Sequence, residues 1–197
     1  MTPHLYRSLI STSLFIALIS AYLLEVPFWI LAAITIVVTS YDLFAVMEQT
    51  DFTINVATLM IFCYSYLGGV LFVSEYYRCK GLWFLQVMIV SISDILQYLI
   101  GKYYGKTRIS LVSPNKTLEG YLGSFITLII FYPLFSLSSL VVFTIWILLG
   151  IIGDVFVSWC KRRLEIKDIS NLLGPHGGWL DRADGIYMSL IFTSLIY

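Results

Sequence analysis

The run GYLGSFITLIIFYPLFSLSSLVVFTIWILLGIIG, residues 120–153, contains no charged residue and decides the class of fold. A helix that crosses a membrane takes about 20 residues, with a range of about 17–25, so this run is too long for a single crossing. Its middle, YPLFSLSS at residues 132–139, carries a proline and several serines, which favour a turn. The stretch therefore predicts two membrane-spanning helices joined near residues 132–139.

The composition of the whole chain carries the same signal. Of its 197 residues, 59% are hydrophobic and 12% are charged, whereas soluble domains carry about 25% charge. The sequence therefore predicts an integral membrane protein. Twelve basic and twelve acidic residues cancel, so the net charge does not favour a nucleic-acid partner. The three cysteines contain no C-x-x-C pair, which disfavours a disulfide framework or a zinc site.

Apolar runs on both sides of this stretch predict further helices, and the first of them is interpreted as uncleaved rather than as a signal peptide. The predicted helices cover residues 9–24, 26–41, 53–74, 82–100, two spans within 120–153, and a short final run at 186–197. Polar connections are predicted at residues 42–51, 75–80, 101–120 and 157–182. The fold class is all-α, a polytopic membrane protein of about seven transmembrane helices. It forms a single domain over 1–197, with an N-terminal helical hairpin and connector at 1–52 and catalytic helices and loops at 53–197.

Basic residues set the expected orientation, because cytoplasmic loops carry an excess of Lys and Arg. With a cytoplasmic N-terminus, only Arg78 and Lys80 fall outside. Ten basic residues then face the cytoplasm: Arg7, Lys102, Lys106, Arg108, Lys116, Lys161, Arg162, Arg163, Lys167 and Arg182. This orientation places the polar loops at 101–120 and 157–182 on the side where nucleotides are found.

Two carboxylates lie inside apolar runs. Asp94 in SISDILQYLIGKYYGK and Asp154 in GDVFVSWCKRR each need a partner, an ion or a hydrated cavity, because an intramembrane charge costs about 2.5–3.5 kcal/mol. Asp154, Ser158 and Lys161 share one helix face at i, i+4 and i+7. Lys116 precedes a capped helix start, a type of place that binds phosphate. The alternatives are that Asp94 is hydrated or makes a structural polar contact, that Lys116 belongs to an ordinary helix cap, and that the basic residues after Asp154, above all Arg162 and Arg163, are those usual at the cytoplasmic end of a helix.

The stretch KDISNLLGPHGGWLDRADG, residues 167–185, concentrates acids and glycines before the last apolar run. Asp181 and Asp184 are neighbours at i, i+3 on a helix and repel unless a cation lies between them. Oxygen ligands suit Mg²⁺, and the Gly177 and Gly178 amides can approach a phosphate closely. Lys167 and Arg182 supply positive charge, and His176 is interpreted as a phosphate or loop-ordering contact rather than a general base. A solvated loop is the alternative.

With these residues identified, the chain resembles the CDP-diacylglycerol synthase (phosphatidate cytidylyltransferase) family. The resemblance is carried by SWCKRRLEIKDISNLLGPHGGWLDRAD at residues 158–184, and by upstream elements that include Ser93-Asp94 and Gly153-Asp154. It implies transfer of the cytidylyl group of CTP to phosphatidate, with release of pyrophosphate, by a membrane enzyme of phospholipid biosynthesis. It also implies a funnel open to the cytoplasm, and a homodimer as one possibility.

The same resemblance implies roles for individual residues. Asp154, Asp181 and Asp184 are expected to hold Mg²⁺, with a second cation as an open alternative, and with Lys161 they form the expected catalytic set. The expected substrate and phosphate contacts are Asp94, Lys116, Ser158, Lys167, His176, Gly177, Gly178 and Arg182. The expected location is a bacterial-type inner membrane or its equivalent, with the active site facing the cytoplasm.

Other readings of the sequence stay open. A CTP-dependent transferase or kinase acting on an archaeol-type or polyprenol-type lipid would use the same polar residues. A transporter would use Asp94 and Asp154 as ion-pathway residues. A non-catalytic relative is favoured by unusual neighbours of the motif, such as Cys160 and Trp179.

Overall fold

A computed structural model describes Ser20 and residues 28–50, 56–78, 80–108, 116–135, 139–174 and 177–196. Six α-helices follow one another in these residues: α1 Phe28–Gln49, α2 Val56–Arg78, α3 Lys80–Tyr104, α4 Leu118–Phe131, α5 Leu140–Arg163 and α6 Leu180–Ile196. A short 3₁₀ helix, Tyr132–Phe135, follows α4. The described part of the chain has no β-strand, only an isolated bridge between Arg108 and Thr117. The predicted all-α class is confirmed.

Four of the helical segments are long and apolar enough to cross a membrane: Ile30–Gln49, Gly81–Tyr104, Leu118–Phe135 and Leu140–Arg163. A shorter apolar segment, Val56–Phe72, lies within α2. Large apolar side chains face outward from several helices; for example, Val37, Ile130 and Val141 are each 67% exposed. Lipid can cover such surfaces, so these helices identify an integral membrane protein. Of the helix predicted at residues 9–24, only Ser20 is among the described residues.

All four predicted connections overlap helices, including the one at 101–120, where α3 continues to Tyr104 and α4 begins at Leu118. α1 continues through residues 42–49, so the connector predicted at 42–51 is mostly helix. α2 likewise continues through the start of the loop predicted at 75–80, and Glu75 is only 4% exposed. The loop predicted at 157–182 is shorter than expected, because α5 extends to Arg163 and α6 begins at Leu180. Asp42, Glu75 and Ser158 are polar residues in these stretches that continue a helix and are buried, which hydropathy alone does not reveal.

The uncharged run of residues 120–153 divides as predicted. α4 ends at Phe131, the 3₁₀ turn contains Pro133, and α5 begins after Ser139. The Ser139 hydroxyl accepts a hydrogen bond from the Val142 amide and so caps α5. This satisfies one of the amides that a helix leaves unpaired at its N-terminus.

α5 and α6 pack most extensively against each other, and α6 also packs on α2. Glycines permit this close approach. A Cβ atom at Gly185 would lie 2.8 Å from the carbonyl oxygen of Gly150, and one at Gly68 would overlap the ring of Tyr187. Small residues at such crossings let helix backbones come together where the hydrophobic effect gives no driving force. The packing brings the first turns of α6 against the middle of α5.

A buried hydrogen-bond network ties α6 to α3 and α5. The Thr193 hydroxyl accepts from Gln86 Nε2 and from Trp146 Nε1, each at 2.9 Å, and donates to the Ser189 carbonyl at 3.0 Å. Gln86 and Trp146 are fully buried. One hydroxyl therefore satisfies two donors that have little access to other partners.

We expect Thr193→Val to lower the free energy of unfolding in detergent by about 1–3 kcal/mol, because two buried donors lose their acceptor. Thr127→Val is the matched control, since among the described residues the Thr127 hydroxyl bonds to the Gly123 carbonyl of its own helix. Equal unfolding free energies for the two variants would contradict the network's role.

Candidate active site

Lys116 connects carboxylates from two different helices. Its Nζ atom lies 2.6 Å from Asp154 Oδ2 on α5 and 3.8 Å from Asp94 Oδ1 on α3. It also donates a hydrogen bond to Gln97 Oε1 at 3.2 Å. The three charged side chains are partly accessible, at 25% for Lys116, 17% for Asp154 and 37% for Asp94. The structure thus brings together three residues that the sequence singled out separately.

The environment of Lys116 keeps its amine charged. Burial alone would lower the pKa of Lys116, but the carboxylates of Asp154 and Asp94 outweigh this and raise it above its ordinary value. The Lys116 ammonium also lies 5.7 Å from the centre of the Tyr121 ring. A cation held in this way is a fixed positive charge, able to attract anionic groups as well as its own partners.

Asp184 adds a third carboxylate to this cluster. It is 4% exposed and lies within electrostatic range of Asp154, Asp94 and Lys116. Asp184 Oδ1 accepts a hydrogen bond from the Gly185 amide at 2.8 Å, and the Tyr64 hydroxyl donates to the Asp184 backbone carbonyl. We call Asp94, Asp154, Asp184 and Lys116 the acidic cluster. Its carboxylates outnumber its one lysine.

Asp181 belongs to a different set of contacts. Asp181 Oδ1 lies 2.6 Å from Lys161 Nζ on α5, and Asp181 Oδ2 accepts hydrogen bonds from the amides of Ile169 at 2.9 Å and Gly178 at 2.8 Å. The Asp181 side chain is 4% exposed and that of Lys161 is 12% exposed. Although Asp181 and Asp184 are one helical turn apart, they serve different partners: Asp181 orders the loop at 164–179, and Asp184 faces the acidic cluster.

The two glycines of the loop act through backbone shape. Gly177 has φ +82°, a conformation that favours glycine, and its amide donates to the Gly174 carbonyl at 3.1 Å. The Gly178 amide donates to Asp181. Both amides are thus already engaged within the protein, so contacts from them to a phosphate stay a prediction without support from this geometry.

The remaining predicted residues are more dispersed. Ser158 is 8% exposed on α5, and Lys167 and Arg182 are exposed. Arg182 interacts electrostatically with Asp94, which places its charge near the acidic cluster. His176 lies outside the described residues. Within the described parts of the chain, no three side chains of His, Cys, Asp or Glu are grouped so that they could hold a metal ion by themselves.

Sequence reasoning missed Asp42, because it assigned residue 42 to a polar connector. Asp42 lies on α1, is 1% exposed, and accepts hydrogen bonds from the Ser170 hydroxyl at 2.6 Å and the Leu180 amide at 2.7 Å. A signal was present: Thr35, Thr39 and Asp42 follow each other at i, i+4 and i+7, which puts a polar stripe on one helix face. All three are buried.

The helices and the acidic cluster define a class: a helical membrane protein with lysines and carboxylates gathered inside its bundle. A sequence model of the cytidylyltransferase family matches residues 2–197. The chain belongs to this family.

Individual relatives are similar over parts of their length. The chain is 41% identical over 103 residues to a phosphatidate cytidylyltransferase of Aquifex aeolicus, covering 50% of the chain and 40% of that protein. It is 34% identical over 182 residues to one of Staphylococcus aureus strain COL, covering 84% of the chain and 67% of that protein. It is also 41% identical over 114 residues to the uncharacterized protein YnbB of Escherichia coli, covering 53% of the chain and 37% of that protein.

We expect Lys161→Met to lower the free energy of unfolding by about 3–5 kcal/mol, because it leaves the buried Asp181 carboxylate without its cation. Lys167→Met is the matched control, since this lysine of the same loop is exposed. The measurement is denaturant unfolding in detergent. A loss of under about 0.5 kcal/mol for Lys161→Met, the range of an ordinary surface substitution, would show that the pair does not hold the loop.

Proposed function

We propose that this protein transfers the cytidylyl group of CTP to phosphatidate, forming CDP-diacylglycerol and pyrophosphate in phospholipid biosynthesis. Its membership of the cytidylyltransferase family and its similarity to phosphatidate cytidylyltransferases support this reaction. The observation that carries the proposal is the acidic cluster, in which Asp94, Lys116, Asp154 and Asp184 come together from separate parts of the chain. Such a cluster suits a reaction between two highly charged phosphates.

The proposed reaction requires that the two phosphates are positioned next to each other and that their negative charge is neutralised. An oxygen of the lipid phosphate, already anionic at neutral pH, forms a bond to the α-phosphorus of CTP, while the bond from that phosphorus to the bridging oxygen breaks and pyrophosphate leaves. No covalent enzyme nucleophile is needed, because the attacking group is itself a nucleophile. Lys116 supplies fixed positive charge beside Asp154, and Arg182 and Lys167 supply further charge for the nucleotide phosphates.

In this proposal Lys161 has a structural role and does not contact the substrate directly. Its ammonium is 2.6 Å from Asp181, and that carboxylate holds the loop amides of Ile169 and Gly178. We place Lys161 and Asp181 as the pair that keeps the loop and the start of α6 in position. His176, Ser158, Gly177 and Gly178 remain predicted contacts of the nucleotide or lipid phosphate.

Two of the three carboxylates predicted to bind Mg²⁺ are suitably placed for a divalent cation. Asp154 and Asp184 belong to a cluster in which carboxylates outnumber lysines, and Mg²⁺ is commonly bound by one or two carboxylates completed by waters and substrate phosphates. Asp181 fits less well, because both of its oxygens are already engaged. We therefore place Mg²⁺ with Asp154 and Asp184, where it would neutralise charge on the nucleotide phosphates; a second cation stays open.

The membrane arrangement belongs to the same proposal. We place the N-terminus and the polar loops on the cytoplasmic side of a bacterial-type inner membrane or its equivalent, with about seven spans in one domain and a polar funnel open to the cytoplasm. The distribution of Lys and Arg supports this orientation. The lipid's acyl chains then stay in the bilayer while its phosphate meets CTP. A homodimer is compatible with this arrangement.

The direct test is pyrophosphate release by the purified protein in detergent with CTP and phosphatidate, with Mg²⁺ omitted and then restored. We expect release that depends on both substrates and on the cation. Archaeol-type and polyprenol-type lipid phosphates, in parallel, would reveal a different acceptor. No release with any lipid phosphate would overturn the proposed reaction, and CTP-independent ion flux in liposomes would favour a transporter instead.

We expect Asp184→Asn to lower kcat at least about a hundredfold, the scale of losing one strong transition-state contact, while the protein stays folded. Glu165→Gln is the matched control, because Glu165 is an exposed carboxylate near the end of α5. Activity like that of the unsubstituted protein in Asp184→Asn would remove this carboxylate from the reaction.

A further inference from the structure

Asp42 is a buried carboxylate that the proposed chemistry does not use. It lies in the C-terminal half of α1 and is 1% exposed. The residues that it contacts are more than 120 positions later in the sequence. Its two oxygens accept hydrogen bonds from two parts of the loop region, the Ser170 hydroxyl at 2.6 Å and the Leu180 amide at 2.7 Å. A buried charge is retained only where partners compensate its lost hydration. Here the partners are the loop and the start of α6.

The Leu180 amide explains why an acid suits this position. Leu180 is the first residue of α6, and the first amides of a helix have no partner within the helix. The helix dipole also favours a negative charge at this end. Asp42 therefore acts as an N-terminal cap supplied by a different helix, while Asp181, from the first turn of α6, accepts from the Gly178 amide.

The surroundings of Asp42 are closely packed around these contacts. A Cβ atom at Gly178 would lie 2.8 Å from Asp42 Oδ1 and 2.8 Å from Ser170 Oγ, so only glycine fits without displacement. One further contact comes from the same helix: Gln49 Nε2 donates to the Ile169 carbonyl at 2.9 Å. The Ile169 amide in turn donates to Asp181. α1 thus holds both the loop and the residues that orient Asp181.

We propose that Asp42 is a positioning residue for the active site. By fixing the first turn of α6 against α1, it sets where Asp181 and Asp184 lie relative to α5. A carboxylate one turn along α6 can face Asp154 only if the start of that helix is held in one place, and Asp42 bonds to the first amide of the helix. The kinetic consequence of this role rests on the proposed cytidylyl transfer, but the structural consequence does not.

Two substitutions at residue 42 separate shape from charge. Asparagine has the shape of aspartate; its oxygen can accept from the Leu180 amide and its nitrogen can donate to Ser170 Oγ. Alanine removes both contacts. We expect Asp42→Ala to lower kcat by about 10- to 100-fold, the scale of a misplaced catalytic group, with little change in the KM for CTP. We expect the kcat of Asp42→Asn to stay within about fivefold of that of the unsubstituted protein, because this variant loses only the favourable interaction of a negative charge with the helix N-terminus.

Leu43→Ala is the matched control for general destabilisation. Leu43 is the next residue on α1, is 6% exposed and belongs to the apolar core, so its truncation weakens packing while both hydrogen bonds of Asp42 remain. We expect this variant to lower the midpoint of thermal unfolding while kcat, measured below that midpoint, is unchanged. An equal fall in kcat for Leu43→Ala and Asp42→Ala would overturn the proposal, as would Asp42→Asn being as impaired as Asp42→Ala.

Hydrogen exchange provides a readout that does not depend on turnover. In Asp42→Ala we expect faster exchange of the amides at residues 178–180 and 169–170, and in Leu43→Ala a smaller effect at these amides, because both Asp42 hydrogen bonds remain. If CTP transfer were absent in the unsubstituted protein while this exchange pattern held, the proposed function would fail and the positioning role would stand. Unchanged exchange in Asp42→Ala would overturn the positioning role whatever the activity.

Discussion

The burial of the Asp181 carboxylate is the constraint on which the site depends. A carboxylate that is nearly inaccessible to water must find compensation within the protein, and Asp181 finds it in Lys161 and in two backbone amides. These partners come from the end of α5, the middle of the loop and its last residues. Satisfying one charge thus folds the loop back between two helices. The start of α6 is thereby held beside α5, where Asp184 interacts with Asp154.

The two groups of charged residues differ in how far their carboxylates are compensated by positive charges and hydrogen-bond donors. Around Asp181, one carboxylate meets one lysine and two amide donors, which is a closed and satisfied set. In the acidic cluster, Asp94, Asp154 and Asp184 share Lys116, and Asp94 also interacts with Arg182. The first arrangement suits structure, and the second suits the binding of cations and phosphates that arrive with a substrate. Proximity in sequence hides this division, because Asp181 and Asp184 are only one helical turn apart.

Polar residues inside apolar helices are the common element of the fold. Asp42, Gln86, Thr193 and Asp94 lie in helices whose outward faces are apolar, and each of them contacts another helix or loop. In a membrane, water cannot supply the missing hydrogen bonds, so the partners must come from the protein. This fits the helical conformation of residues 42–49 and 75–78, which the sequence had assigned to connectors: Asp42 and Glu75 are buried between helices rather than exposed to solvent.

Local patterns in the sequence were enough to predict the helical class, the division of residues 120–153, and Asp94, Lys116, Asp154 and Asp184 as candidates for the site. Helix length and hydropathy depend on neighbours along the chain, so they can be read without a structure. Tertiary structure alone decided which charges meet: Lys116 with Asp154 and Asp94, Lys161 with Asp181, and Asp42 with Ser170 and Leu180. Partners such as residues 42 and 180 are separated by most of the chain, and only the packing of the helices selects which buried charge meets which donor.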